Sequence, residues 1–292
     1  MPDSIVVTVS CADLPRSCAL PTGNATQEMA HVGAVHNRAP QKQPNTPQDI
    51  WGDAILRLDH SEFEADERAA KARQTRLSHR LERMIQRLAI AADLPVSELQ
   101  GPGTGLVSGS QFGCSQVYQM QSRLHEFGPR GIDAVRFAQA THNYPITSAA
   151  IEFGIQGPSL AVVSGSQAGS DALTCALDWL RDGRCARVLV TAYEDFAPPL
   201  TTHLAQRARA PERPVFAEAM VLMLLEQESA ARSRGRHPIL SQPQRPHPLG
   251  SFAGVNFLGA TPLVALHQQI ASMTPGSPSS DTLYSQKEHE VT

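Results

Sequence analysis

The sequence predicts an α/β fold with a mixed sheet covered by helices, and three observations carry that expectation. Short continuous apolar runs, SLAVVS at 159–164, ARVLVT at 186–191 and AMVLMLLE at 219–226, read as strands buried on both faces. Segments of helical period alternate with them, which is the pattern of a helix-covered sheet. The 292-residue chain is 41% hydrophobic and 18% charged, close to the globular average, so a sizeable core can form.

Three zones follow along the chain. Ile5–Val9 is a short strand, and residues 10–56, rich in Pro, Asn, Gln and Thr without a stable period, read as a loop or poorly ordered insert. The charged stretch from 57 leads into a helix over Ser78–Ala92, where Leu81, Met84, Ile85, Leu88 and Ala89 keep the 3–4 spacing of one apolar face. These residues, 1–77, form the first unit: a strand plus an insert.

The second unit, 78–241, opens with that helix, Ser78–Ala92, and is tightly structured from Gly103 to about Ala231. There a strand at Gly105–Ser108 is followed by helices at Ser115–Phe127, Asp133–Ala140 and Ile146–Phe153. The strand Ser159–Ser164 is followed by a helix over Ala168–Asp182 with Gly183 just past its end, a common helix stop. The strands Ala186–Thr191 and Ala219–Glu226 complete the zone, with a helix ending near Arg234. Residues 242–292 are a Pro-, Ser- and Gln-rich tail with one helix, Pro262–Met273.

Composition excludes several functions. A formal net charge of −3 offers no basic footprint for nucleic acid. The longest apolar run, Ala219–Leu225, has seven residues, against the roughly 18–20 that cross a bilayer. Asp3 and the absence of a basic leader make the N-terminus unlike a secretory signal. Five cysteines, Cys11, Cys18, Cys114, Cys175 and Cys185, lack CxxC pairing and read as reduced thiols of a cytosolic protein. GxGxxG, GxxxxGK[ST], HxH and HExxH are absent, so no cofactor or metal is expected.

The chemistry concentrates in Gly157–Gly169, a strand, a turn of small residues and a helix. Such a turn holds Gly165, Ser166, Gln167, Ala168 and Gly169 at a helix N-terminus, whose N–H groups favour an anionic nucleophile or oxyanion. The other reading is a tight strand-to-helix loop without chemistry.

The order of these segments resembles the N-terminal half of a β-ketoacyl synthase, a thiolase-like α/β/α layered half-fold. GLVSGSQFG at 105–113 is similar to that family's strand-and-glycine segment, and FGIQGPSLAV at 153–162 to its approach to the active-site cysteine. ALDWLRDGRCARVLVTAYED at 176–195 and FAEAMVLMLLEQESAARSRGR at 216–236 resemble the helices and strands that follow. The resemblance covers roughly residues 78–240, with Ile5–Val9 as the first strand.

The resemblance implies a nucleophilic cysteine, and this sequence places Ser166 there; Cys175 lies on the following helix. A hydroxyl attacks a thioester poorly without a general base. The family's two catalytic histidines belong to its C-terminal half, and no histidine here stands in a matching motif. Between 191 and 219 the family's Arg-Pro-Phe-Asp-like and Gly-Glu-Gly patterns shrink to APERPVFAEA, with Arg213, Pro214 and Phe216 as echoes. Chain-length factors carry Gln at the cysteine position, and Gln167-Ala168-Gly169 is similar to their elbow, although Gln167 falls one residue late. Phe137 and His142 fall where the resembled family borders its acyl pocket; a surface or supporting role is the other reading for His142. Glu194-Asp195, where the family also shows an acidic or amide residue, reads as a solvated loop.

The resemblance thus implies a synthase-like protein without condensing activity. It would act as a chain-length-factor-like or scaffolding partner in fatty-acid or polyketide-type assembly, including polyene pigments. A Ser166-dependent acyltransferase or hydrolase, and a purely structural relic, are the alternatives. Partners implied are an acyl carrier protein and a full-length ketosynthase, with dimerisation through the Ser159–Ser164 strand; neither nucleic acid nor membrane is expected. Half of a duplicated fold would also leave apolar surface uncovered.

Overall fold

A computed structural model describes residues 4–15, 55–65, 74–132, 134–208, 215–241, 243 and 254–273. Most of the insert expected at 10–56, the tail beyond 273, Cys18, Arg213 and Pro214 lie outside the described residues.

Six strands form the main sheet in the order β4-β3-β5-β7-β1-β8. They are β1 (Ile5–Asp13), β3 (Thr104–Gly109), β4 (Ser159–Val162), β5 (Arg187–Glu194), β7 (Ala219–Gln227) and β8 (Leu240–Ser241). β4, β3 and β5 run parallel, and β7, β1 and β8 alternate antiparallel, so the sheet is mixed. A small parallel sheet joins β2 (Ile55–Leu56), β6 (Val215–Ala217) and β9 (Val255–Asn256) in the order β2-β6-β9.

The helices are α1 (Ser61–Ala65), α2 (Arg76–Ala91), α3 (Gln116–Phe127), α4 (Ala134–Gln139), α5 (Tyr144–Phe153), α6 (Ala168–Arg181), α7 (Leu200–Ala208), α8 (Glu228–Ser233) and α9 (Thr261–Met273). α2 starts at a capping box in which Thr75 and Ser78 satisfy each other's backbone N–H groups. Its apolar face, including Leu81, Met84, Ile85 and Leu88, joins Phe153 of α5 against Leu189, Leu222 and Leu224 of the sheet. On the opposite face α6 and α9 cover Val107, Val188, Val190, Val221 and Met223. A third cluster, Ile55, Phe196, Leu200, Leu204 and Phe216, seals the small sheet.

Several boundaries differ from the sequence reading. β1 extends through Asp13 because its antiparallel pairing with β7 continues past Val9, across a register shift between Val7 and Val9. β2, β6, β8, β9 and α7 had no sequence signal, being short or of mixed composition. β1 and α9 lie outside 78–241, yet both are built into the cores around the main sheet: Val7 and Leu263 share one cluster, and Val9 belongs to the other. Among the described residues no helix is long and apolar enough to cross a membrane. Among the described residues, Cys11, Cys114, Cys175 and Cys185 form no disulfide.

Candidate functional site

The edge strand β4 leads into the turn that the sequence singles out. Ser164 leaves the strand, Gly165 adopts φ +67°, and one 3₁₀ turn over Gly165–Gln167 starts α6 at Ala168. The positive φ is a conformation glycine adopts without steric cost, so Gly165 makes the reversal. Ser164 Oγ donates to Asp171 Oδ2 at 2.6 Å, tying the turn to the first turn of the helix. Ala168 and Gly169 are buried at the helix start.

Ser166 is exposed, and among the described residues its hydroxyl has no hydrogen-bond partner. Gln167 is half-buried at the N-cap of α6 without a side-chain capping bond. The turn therefore supplies a helix N-terminus but no base to draw a proton from the hydroxyl. The histidines with assigned partners are engaged elsewhere: His142 Nδ1 accepts the Cys114 N–H at 3.2 Å, His267 Nδ1 meets Ser10 Oγ at 2.7 Å, and His60 Nε2 meets Glu218 Oε2 at 3.1 Å. Burial lowers the pKa of His142, which favours its neutral, accepting form. Its ring packs so closely on Gly113 that a Cβ there would overlap it. Cys114 is buried, and desolvation pushes its thiol up to about 12, so it is no thiolate nucleophile. Phe137 is 60% exposed.

Beneath the turn lies a buried acid. Glu194 ends β5, and its Oε1 accepts the backbone N–H groups of Gln111 at 2.6 Å and Gly259 at 3.0 Å, with Ser110 Oγ 3.3 Å from Oε2. Burial outweighs these donors and raises its pKa to about 8. Gly259 lies in the 3₁₀ turn Leu258–Ala260 that starts α9; a Cβ on it would stand 2.9 Å from both Glu194 Oε1 and the Gly165 carbonyl. The starts of α6 and α9 thus meet over one carboxyl group.

Asp195 anchors a second buried network. Arg76 Nε donates to Asp195 Oδ1 at 3.0 Å, and its guanidinium lies 3.5 Å from Glu218 Oε1. Glu218 also accepts the N–H groups of Phe196 at 2.8 Å and Leu58 at 2.9 Å, and Ser115 Oγ donates to Asp195. His60, Asp195 and Glu218 bring potential ligand atoms within 4.8 Å of one another, and the Arg76 guanidinium lies against both acids. The expected solvated loop at Glu194-Asp195 is therefore corrected: both acids are buried, because the end of β5 runs under the turns that start α6 and α9. Glu218 and Gly259 escaped the sequence reading. The one available signal for Glu218 was an acid opening the otherwise apolar run FAEAMVL.

A cleft of about 710 Å³ opens between α2 and the excursion α3–α4, lined by Arg76, Arg123, Arg136, Gln116, Met120 and Val135 among others. Neither α3 nor α4 buries a residue in the rest of the chain.

A mixed sheet with helices on both faces, and a small-residue elbow opening α6 from its edge strand, define a thiolase-like protein. The β-ketoacyl synthase N-terminal domain matches residues 23–230, and the chain belongs to that family. No curated protein matches. Among solved structures, a type II polyketide synthase acyl-carrier protein in complex with its hexaketide-bound ketosynthase is similar at 18% identity and TM-score 0.60, over 82% of this chain and 68% of that one. A ketosynthase domain of the oxazolomycin synthase of Streptomyces albus JA3453 is 17% identical at TM-score 0.55, over 81% of this chain and 45% of that one. The ishigamide ketosynthase/chain length factor is 27% identical over 48% of this chain and 39% of that one, at TM-score 0.41. The chain thus spans between about two fifths and two thirds of the length of these structures.

Proposed function

We propose that this protein is a β-ketoacyl-synthase-like partner without condensing activity, acting as a chain-length-factor-like or scaffolding subunit in cytosolic fatty-acid, polyketide or polyene-pigment assembly. The carrying observation is the elbow: between Gly165 and Gly169 the one nucleophilic side chain is the exposed Ser166 hydroxyl, with no base hydrogen-bonded to it among the described residues. An unassisted hydroxyl gains too little from a helix N-terminus to open a thioester. Gln167 at the N-cap offers an amide that could hold an acyl carbonyl without attacking it.

The partners in this reading are an acyl carrier protein, a full-length ketosynthase, or both. Supporting it, β4 is an end strand of the sheet among the described residues, with Leu160 42% and Val163 44% exposed. Leu124, Phe127, Val135 and Phe137 of the excursion are exposed as well, and such apolar surface marks an interface. The guanidinium-lined cleft beside α3 and α4 suits an acidic carrier.

The test is chemical. Wild type and Ser166→Ala are incubated with acyl- and malonyl-loaded carrier protein and weighed intact. No adduct on either, with co-elution of a ketosynthase, supports the proposal. A Ser166-dependent adduct overturns it in favour of an acyltransferase or hydrolase.

A further inference from the structure

The face that α3 turns to the cleft of about 710 Å³ is rich in amides where a helix packed on a core would be apolar. Gln116, Gln119, Met120 and Arg123 recur at helical spacing and line that space. Gln74, just ahead of α2, lines it as well, and Phe63, Ile132 and Val135 add apolar surface. None of the elbow residues lines it. Its volume falls within the roughly 300–1,000 Å³ of small-molecule sites.

The polar side chains of the lining divide into engaged and unengaged groups. The arginines are engaged: Arg76 by Asp195 and Glu218, Arg123 by the Gly131 carbonyl at 3.0 Å, and Arg136 is not free either. Gln74 Nε2 donates to Glu82, and Gln116 Oε1 accepts from the Cys114 thiol at 2.9 Å. Among the described residues, Gln74 Oε1, Gln116 Nε2 and both amide atoms of Gln119 have no partner. Closing the excursion onto α2 would bury these groups unpaired, which is costly, so the space stays open. An acceptor on the α2 side and a donor and an amide on the α3 side match a secondary amide, which has one N–H and one C=O. Met120, Ile132 and Val135 match the methylene and methyl groups that flank such an amide. A carboxylate offers acceptors only and would leave Gln74 Oε1 unpaired.

We propose that the cleft between α2 and the excursion α3–α4 seats the neutral, amide-bearing arm on which a carrier protein tethers its acyl group, a pantetheine-type chain. The inference rests on the carrier reading above and deepens it, by giving the carrier's arm a seat apart from the elbow. It is independent of whether Ser166 reacts. An arm held here is kept from the Ser166 hydroxyl, which suits a subunit that holds a chain and does not extend it.

Photoaffinity labelling of the full chain, using pantetheine with a diazirine on its sulfur, reads the site, and calorimetric titration with pantetheine reads the affinity. The expected result is label on residues 115–123 or 131–139 and none on 164–169. Pantetheine should bind saturably, and tetraethylene glycol, a neutral chain without amides, should not. Gln119 is exposed, so Gln119→Leu should keep its circular dichroism melt while weakening pantetheine about fivefold. Holo acyl carrier protein should bind at least fivefold more tightly than its apo form, and Gln119→Leu should shrink that difference. No saturable pantetheine binding, label confined to the elbow, equal binding of the glycol, or unchanged affinity in Gln119→Leu overturns the proposal. Equal binding of apo and holo carrier overturns the seat and leaves the carrier reading intact. Pantetheine bound in the cleft with neither carrier form binding supports the seat and counts against the carrier reading.

Discussion

Glu194 Oε1 accepts the backbone N–H of Gly259 at 3.0 Å across 65 residues of sequence, so the end of β5 holds the start of α9. The same oxygen holds Gln111, and the resulting knot sits directly under the turn that opens α6.

That knot makes a pH prediction. The folded pKa of Glu194, about 8, lies above its ordinary value of 4.5, so folding favours the protonated form. Its contribution to stability is fully present below pH 4.5, declines as pH rises, and is gone above about 8. The slope is at most about 1.4 kcal/mol per pH unit. Urea midpoints from pH 5 to 9 should fall more steeply for wild type than for Glu194→Gln; parallel curves would refute the assignment.

Gly259→Ala tests the same contact from the other side. Its Cβ would stand 2.9 Å from both Glu194 Oε1 and the Gly165 carbonyl, closer than real Cβ contacts allow. Overpacking of this kind costs about 1–3 kcal/mol, to be read as a lower denaturation midpoint.

Arg76→Ala would leave the buried carboxylates of Asp195 and Glu218 without their cation. Breaking a buried pair from one side costs about 3–5 kcal/mol. Thermal unfolding should show the loss, and Arg76→Lys should recover part of it.

At the elbow the expectation is the reverse. Ser166 is exposed and bonds to nothing among the described residues, so Ser166→Ala should shift stability by less than about 0.5 kcal/mol. Ser166→Cys should give a thiol that iodoacetamide labels, yet no condensation with malonyl carrier protein, since no base accompanies it. Product formation by that variant would overturn the non-condensing reading.

The β4 edge provides the assembly test. Leu160→Asp and Val163→Asp change exposed side chains, so the monomer's melting temperature should hold. Light scattering should report a dimer, alone or with a ketosynthase, for wild type and a dissociation constant at least tenfold weaker for the double variant.

Much of the main sheet was legible because its strands carry their own signal. ARVLVT and AMVLMLLE are apolar at most positions and buried. SLAVVS, expected to be buried on both faces, is a strand only over Ser159–Val162 and lies part-exposed because it ends the sheet. Both α2 and α6 keep helical period. The elbow was legible for a related reason: Gly165 and its small neighbours state a reversal locally. Two-residue strands such as β2 and β9 have no period to read, and they exist because β6 offers them an edge.

The sequence by itself determined the α/β class, the helix and strand order from 104 to 194, the strand and helix over 219–233, and the absence of a cysteine in the elbow. Tertiary structure decided what surrounds the elbow. Glu194 and Asp195 follow a strand and look like solvated loop acids in one dimension; the turns at Gln111 and Gly259 close over the first, and Arg76 and Ser115 reach the second. Burial of a charge depends on partners distant in the chain, and no local pattern encodes them. The same holds for Gln116 and Gln119 of α3, whose spacing is written in the sequence but whose cleft exists only once α2 stands opposite them.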